Sequence, residues 1–417
     1  MATKGNLLYA QSGGPTAVIN TSVWGALQAA QACAQVGEVY AAYHGIQGVL
    51  AGELFDLAAE DQVQFTKMPY TPGAVLGSCR YRLQQEATED YEKILDIFRR
   101  YNIRYFLYNG GNDSMDTCNK LHHFFQEQNY ECAVIGVPKT IDNDLVLTDH
   151  SPGFASSVRC VSTLMAEVTV DACSYTTPQI LLFEIMGRNA GWLTAGSALA
   201  RLSGFGPDLI YLPERTFSLE NFLRDVENLQ AQKPHIVIAV SESLRLADGR
   251  YVKELSGTKE HDVFGHEQMG GAAQLLAAYL KKNLHTKVRA IEFSLVQRAA
   301  CHLASQVDLY EAYHVAEYAV KLAVDGVSGK MVALQRESDQ PYQVSYKAVD
   351  LDAVANAEKK LPSSWINAAG NDVTDEFVRY CLPLISNRKD AGRYDVPLEL
   401  TDNGLPGFAY LKKQLLL

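Results

Sequence analysis

The ten residues GVPKTIDNDL, numbers 136–145, hold Lys139, Thr140, Asp142 and Asp144. Two carboxylates spaced by one residue share a face of an extended segment, where one can take a proton while its neighbour holds a cation or a hydrogen bond. Lys139 adds a charge suited to phosphate. By itself the stretch also describes a solvated Asp-Asn-Asp turn, although a calcium loop is excluded because its alternation of ligands stops at Val146. Two double glycines carry related chemistry. Gly13-Gly14, between LLYAQS and a helix-like run, lets backbone approach a phosphate at a helix N-terminus, yet matches neither a Walker A loop nor a dinucleotide fingerprint. Gly110-Gly111-Asn112-Asp113-Ser114 suits a phosphate or metal-phosphate cradle, and equally an Asx-type turn that opens a helix. Glu184-Ile185-Met186-Gly187-Arg188 offers a guanidinium fork for phosphate. Ser241-Glu242-Ser243 and Val296-Gln297-Arg298 complete the set.

Each cluster follows a short apolar run: NLLYA, YFLYNGG, CAVIGVP, QILLFEI, HIVIAV and RAIEFSL, with VYAAYHGI as a seventh run. Such runs alternating with helical stretches predict parallel sheets with crossover helices, whose ligands bind beyond the carboxyl ends of the strands. One helix is predicted over residues 88–101, with Tyr91, Ile94, Leu95, Phe98 and Tyr101 as its apolar stripe and Thr88 as its cap. At 417 residues, 47% apolar and 20% charged, the chain is long enough for two core-bearing domains. A net charge of -11 argues against nucleic-acid or membrane-surface partners, so anionic ligands need a local basic pocket. No segment approaches the roughly 20 apolar residues that span a bilayer, and the N-terminal apolar run is too short for a signal peptide. A cytoplasmic location is expected. Eight cysteines without zinc spacing read as reduced core thiols.

In their order and wording, Gly13-Gly14, GGNDS, PKTIDND, MGR, SES and VQR resemble the phosphofructokinases over roughly residues 5–330. The resemblance implies an α/β fold: two doubly wound, Rossmann-like parallel-sheet domains with the active site in the cleft between them. It implies a donor-binding domain at 1–150 plus about 297–345, a sugar-phosphate domain at 151–296, and a C-terminal extension from about 346 to 417 packed on the body. The implied reaction phosphorylates the 1-hydroxyl of fructose 6-phosphate. By position, Asp142 is the expected general base, supported by Asp144 and Thr140. Arg188 is expected to stabilise the transferring group, with Met186 and Gly187 lining the sugar site and Glu242 accepting from sugar hydroxyls. Arg298 is expected to hold the 6-phosphate together with Arg289, the latter from a neighbouring subunit; a homodimer or homotetramer follows. Gly13, Gly14, Arg80, Gly111 and Ser114 are expected on the donor phosphates.

Asp113 and Lys139 stand where ATP-using members have glycines. A carboxylate about 4 Å from an α-phosphate costs about 4 kcal/mol at a surface-type dielectric. An ammonium offers compact charge to a small diphosphate. The pair therefore resembles members that use inorganic pyrophosphate, with an ATP-dependent enzyme as the alternative. Asn112 replaces the usual metal-associated aspartate, so Mg²⁺ is expected to ride on the diphosphate near Asn112, Asp113 and Asp144. By the same resemblance, Gln179 occupies the place of a subunit-bridging arginine in short ATP-using members, Leu295 replaces a sugar-site histidine, and Ala299-Ala300 replace the glycines after Q-R, so the 6-phosphate pocket is expected to differ in detail. Trp24 and Gln28 replace effector-binding arginines, and a non-allosteric enzyme is expected.

Overall fold

Leu7 and Tyr9 face one apolar cluster while Leu8 and Ala10 face another, as a strand buried on both sides requires. They belong to β1 (Gly5–Gln11) of a computed structural model that describes residues 4–84, 86–256 and 270–385. β2 (Val36–Ala42), β3 (Leu54–Asp56), β4 (Ile103–Gly110) and β5 (Ala133–Pro138) follow in the same sheet. The chain then builds a second sheet from β6 (Gln179–Ile185), β7 (Leu209–Tyr211), β8 (His235–Ser241) and β9 (Lys287–Glu292). It returns to the first with β10 (Lys330–Asp339) and β11 (Tyr342–Asp350). The first sheet runs β11-β10-β5-β4-β1-β2-β3, parallel at its centre with an antiparallel strand at each edge. The second runs β7-β8-β6-β9 and is parallel throughout.

Helices cover both faces of each sheet. On the first, Ile19–Gln31 and Gln306–Val324 bury one side while Thr88–Arg100 and Asn112–Glu127 bury the other. On the second, Phe154–Cys173 faces Leu219–Gln230 and Ala272–Leu284 across the strands. The two doubly wound domains expected from sequence are present. The predicted helix forms over Thr88–Arg100 and buries Tyr91, Ile94, Leu95 and Phe98, each such side chain contributing about 1.5–3 kcal/mol. Thr88 is not its cap; Ala87 holds that place without a side-chain hydrogen bond, and Thr88 begins the helix.

The seven apolar runs map onto β1, β2, β4, β5, β6, β8 and β9. β3, β7, β10 and β11 went unpredicted. β3 and β7 have three residues each, too short for a pattern, and β11 is a half-exposed edge strand. That hairpin also moves the expected domain limit. The boundary placed near 345 falls inside β11, which pairs with β10 through Asp350, and Leu351 and Val354 bury in the first-sheet core. Residues 355–385 instead pack on the second-sheet core through Leu361, Ile366, Phe377 and Leu384. The extension expected to 417 is thus seen to 385, and its remainder lies outside the described residues.

Candidate active site

Strand register assembles the site. Gln11 pairs with Asn109 and Gly110 with Pro138, so β1, β4 and β5 end level and deliver Gly13, Gly111 and Lys139 side by side. In the second sheet Ile185 pairs with Ser241, which sets Met186 beside Glu242. The two sets of strand ends border one cleft of about 1060 Å³. Asp113, Ser114, Thr140, Asp142, Asp144, Arg188 and Arg298 line it, together with Gly13, Gly14, Arg80, Gly111, Asn112, Lys139, Met186 and Glu242. Gly187 is not among the lining residues; its N–H donates to Glu242 Oε1 at 3.1 Å beneath the cleft wall. Arg289 does not join them. It is exposed on β9, the edge strand of the second sheet.

Lys139 is 3% exposed, and its ammonium donates to the carbonyls of Ser12 at 2.7 Å and Gly14 at 2.8 Å. Two of its three donors therefore tie β5 to the first turn, a structural duty that spacing did not reveal. Burial, then the charge of Arg298, lower its pKa to about 7. Gly14 also leaves room for a side chain, because a Cβ there would stand 2.1 Å from Arg298 Nη1 and the guanidinium would have to shift. The charges of Arg80, Lys139 and Arg298 act on one another, giving an acidic protein a local cationic wall.

Asp142 and Asp144 both reach the cleft, but not along an extended segment. Asn143 between them is left-handed at φ 54°, a conformation that asparagine tolerates better than most residues. Asn143 is itself buried, accepting from Ser151 N and donating to the Tyr380 hydroxyl. Thr140 Oγ1 accepts from Asp142 N at 3.1 Å. Burial raises the Asp142 carboxyl, opposed by the charge of Arg188 and then of Arg298 and Lys139. Burial and then Asp142 raise Asp144 to about 7. Glu242, also about 7 through burial, accepts from Gly187 N.

A buried polar network holds this loop from behind. His150 donates to Asp149 Oδ2 at 2.8 Å and to Glu311 Oε2 at 2.6 Å. Arg336 donates to Asp149, Tyr342 to Glu311, and Tyr380 to the Asp149 carbonyl. Lys359 Nζ bonds the carbonyls of Thr148 and Asp149. The hairpin and the residues after it thus brace the turn that carries Asp142 and Asp144.

Several cleft residues carry no sequence signal. Lys253, Asn189, Ser294 and Glu358 also line the cleft, outside the motifs that singled out the other residues. Leu295, 57% exposed, lines the cleft at the position where the resemblance places a sugar-site histidine in other members. Gln179 is buried and donates to Ala172 O, so it makes no bridge at a surface.

A family model described as Phosphofructokinase matches residues 6–323. A protein of Halomonas elongata named pyrophosphate–fructose 6-phosphate 1-phosphotransferase is 41% identical over 98% of this chain and 96% of its own length. A sulfofructose kinase of Alkalicoccus urumqiensis is 30% identical over 92% of this chain and 97% of that protein. The crystal structure of a pyrophosphate-dependent phosphofructokinase from Nitrosospira multiformis superposes with a TM-score of 0.84 at 34% identity, covering 98% of this chain and 97% of that one. Motifs, double-sheet cleft and full-length relatives agree: the chain belongs to the phosphofructokinase family.

Proposed function

We propose that this enzyme transfers the terminal phosphoryl group of inorganic pyrophosphate reversibly to the 1-hydroxyl of fructose 6-phosphate. The observation that carries the reading is the donor end of the cleft. Lys139 is wedged among the first-turn carbonyls and Asp113 stands exposed in the first turn of the helix Asn112–Glu127, which supports a small diphosphate over a nucleotide.

Asp142 takes the hydroxyl proton, a role suited to a buried carboxyl whose proton affinity is raised. The freed oxygen attacks the terminal phosphorus as the bond to the bridging oxygen breaks and phosphate leaves. Arg188, whose charge faces Asp142, stabilises the transferring group, while Arg80, Lys139 and Arg298 form the wall against the substrates' anionic groups. Gly13, Gly14, Gly111 and Ser114 present backbone and helix N-terminus to the donor. Met186, Gly187 and Glu242 hold the sugar, and Thr140 orients the base through its bond to Asp142 N.

The residues fit a divalent cation. Asn112 Oδ1 and Asp144 Oδ1 are buried without a hydrogen-bond partner. Asn112 and Asp144, with Asp113, would hold Mg²⁺, which supplies charge neutralisation on the diphosphate.

Assays of fructose 1,6-bisphosphate formation with pyrophosphate and with ATP decide the donor. Turnover with pyrophosphate and little with ATP is expected; turnover with ATP alone defeats the proposal.

A further inference from the structure

Residues 355–361 leave the first sheet and cross the cleft on their way to the second core. Three of the contacts that seat them lie around Glu358. Asn112 Nδ2 donates to the Ala357 carbonyl at 2.7 Å, Lys359 N donates to the Asp144 carbonyl at 2.7 Å, and Asn189 Nδ2 donates to Glu358 Oε1 at 2.7 Å. The first two bonds flank Glu358. They set it between the helix end that carries Asn112 and the turn that carries Asp144, where Glu358 lines the cleft. Its charge acts on both Asp142 and Asp144.

Gathering negative charge here costs energy unless a cation offsets it. Protein cations offset part of it: Arg188, Arg298 and Lys139 act on Asp142, and Lys359 acts on Asp144, although Lys359 Nζ itself bonds the carbonyls of Thr148 and Asp149, with a longer contact to Asn143 Oδ1. Meanwhile Asn112 Oδ1 and Asp144 Oδ1 lie buried and unbonded, which is unfavourable unless something pairs with them. Asn112 Nδ2 is fixed by Ala357, so the amide oxygen is held toward whatever pairs with it.

We propose that Glu358 joins the coordination shell of the divalent cation that accompanies pyrophosphate, beside Asn112 Oδ1 and Asp144 Oδ1. This rests on the pyrophosphate reading above. Mg²⁺ keeps several waters and takes substrate phosphate oxygens alongside one or two carboxylates. Two carboxylates and an amide are therefore sufficient, and among the described residues no group of three or more His, Cys, Asp or Glu is placed to hold a metal without substrate. Cation binding is consequently strong only when pyrophosphate is present.

The test titrates Mn²⁺ into the full chain, with and without pyrophosphate, and reads free Mn²⁺ by electron paramagnetic resonance for the wild type, Glu358→Gln and Glu358→Ala. Melting curves check that the variants fold. With pyrophosphate, both variants should bind Mn²⁺ about 10-fold more weakly. In cation-free solution their pyrophosphate affinity should hold or rise, because a negative charge has gone. That opposite response separates a ligand from a structural strut. If the wild type adds no Mn²⁺ binding to that of pyrophosphate alone, the pyrophosphate–cation reading itself fails. If the wild type does and the variants equal it, the role of Glu358 falls. It falls as well if the variants lose cation-free pyrophosphate binding in step with Mn²⁺.

Discussion

Lys139 is an unusual lysine because its ammonium is enclosed with Arg298 and Arg80 nearby. Its pKa of about 7 sets a sign. A bound polyanion favours the charged form, so donor binding should draw in a proton once the pH exceeds about 7, and affinity should fall as pH rises further. Calorimetry at pH 8 in buffers of different protonation heat measures this, and an absence of proton uptake would contradict a donor role for Lys139. The same enclosure separates two variants that would otherwise look alike. Asp113→Gly alters an exposed residue and should lower pyrophosphate use with little loss of stability. Lys139→Gly also removes both bonds to the first turn and should cost stability as well. For the base, Asp142→Ser should reduce turnover by several orders of magnitude while substrate affinity changes little, as steady-state kinetics will show. The Asp142–Asp144 pair was legible from its residue types. The backbone that aims it was not, because a left-handed Asn143 depends on partners more than 200 residues away, such as Tyr380.

At the scale of elements, the turn that carries Asp142 and Asp144 is backed by the buried ring of His150, set between Asp149 and Glu311. Burial alone would lower the pKa of His150, yet the carboxylates of Glu311 and Asp149 raise it to about 9. A raised value means that its stabilising effect is complete below the ordinary histidine range and is lost as pH climbs through about 9. The melting temperature should therefore decline from near neutrality toward pH 9. His150→Gln should be about 3–5 kcal/mol less stable at pH 6, since it leaves buried carboxylates uncompensated, and should lose most of that slope. A variant with the wild-type slope would place the titration elsewhere. The helix Ile19–Gln31 offers a second element-scale expectation. Trp24 packs edge-on against Tyr313 at 5.2 Å, so this position, where the resemblance places an effector-binding arginine in short bacterial enzymes, serves helix packing. Hyperbolic kinetics are expected, and a sigmoidal response relieved by ADP would refute that.

For the whole molecule, Arg289 is the informative exception. It sits exposed on an edge strand, apart from the cleft of its own chain, and a contribution to a sugar-phosphate site would be to that of another copy. A homodimer or homotetramer built this way predicts that Arg289→Ala raises the acceptor KM far more than it lowers turnover. Mixing it with a variant dead at Asp142 should then restore part of the activity; mixtures that merely average would count against a shared site. No helix among the described residues is long and apolar enough to cross a membrane.

Residue identity and spacing determined most of the chemistry. Strand-terminal motifs are local: apolar runs make buried strands, glycines end them, and the charged residues that follow must lie at one edge of a parallel sheet. The alternation itself predicted parallel sheets with crossover helices, and the frame of two doubly wound domains came from the family resemblance. Only the tertiary structure decided that Lys139 clamps the first turn, that Gly14 makes room for a guanidinium, and that β10 and β11 extend the first sheet beyond the expected limit. It alone brought Glu358 into the cleft. These depend on contacts between segments far apart in the chain, made by side chains whose types fit a solvated surface equally well, and no local pattern encodes where such a segment returns.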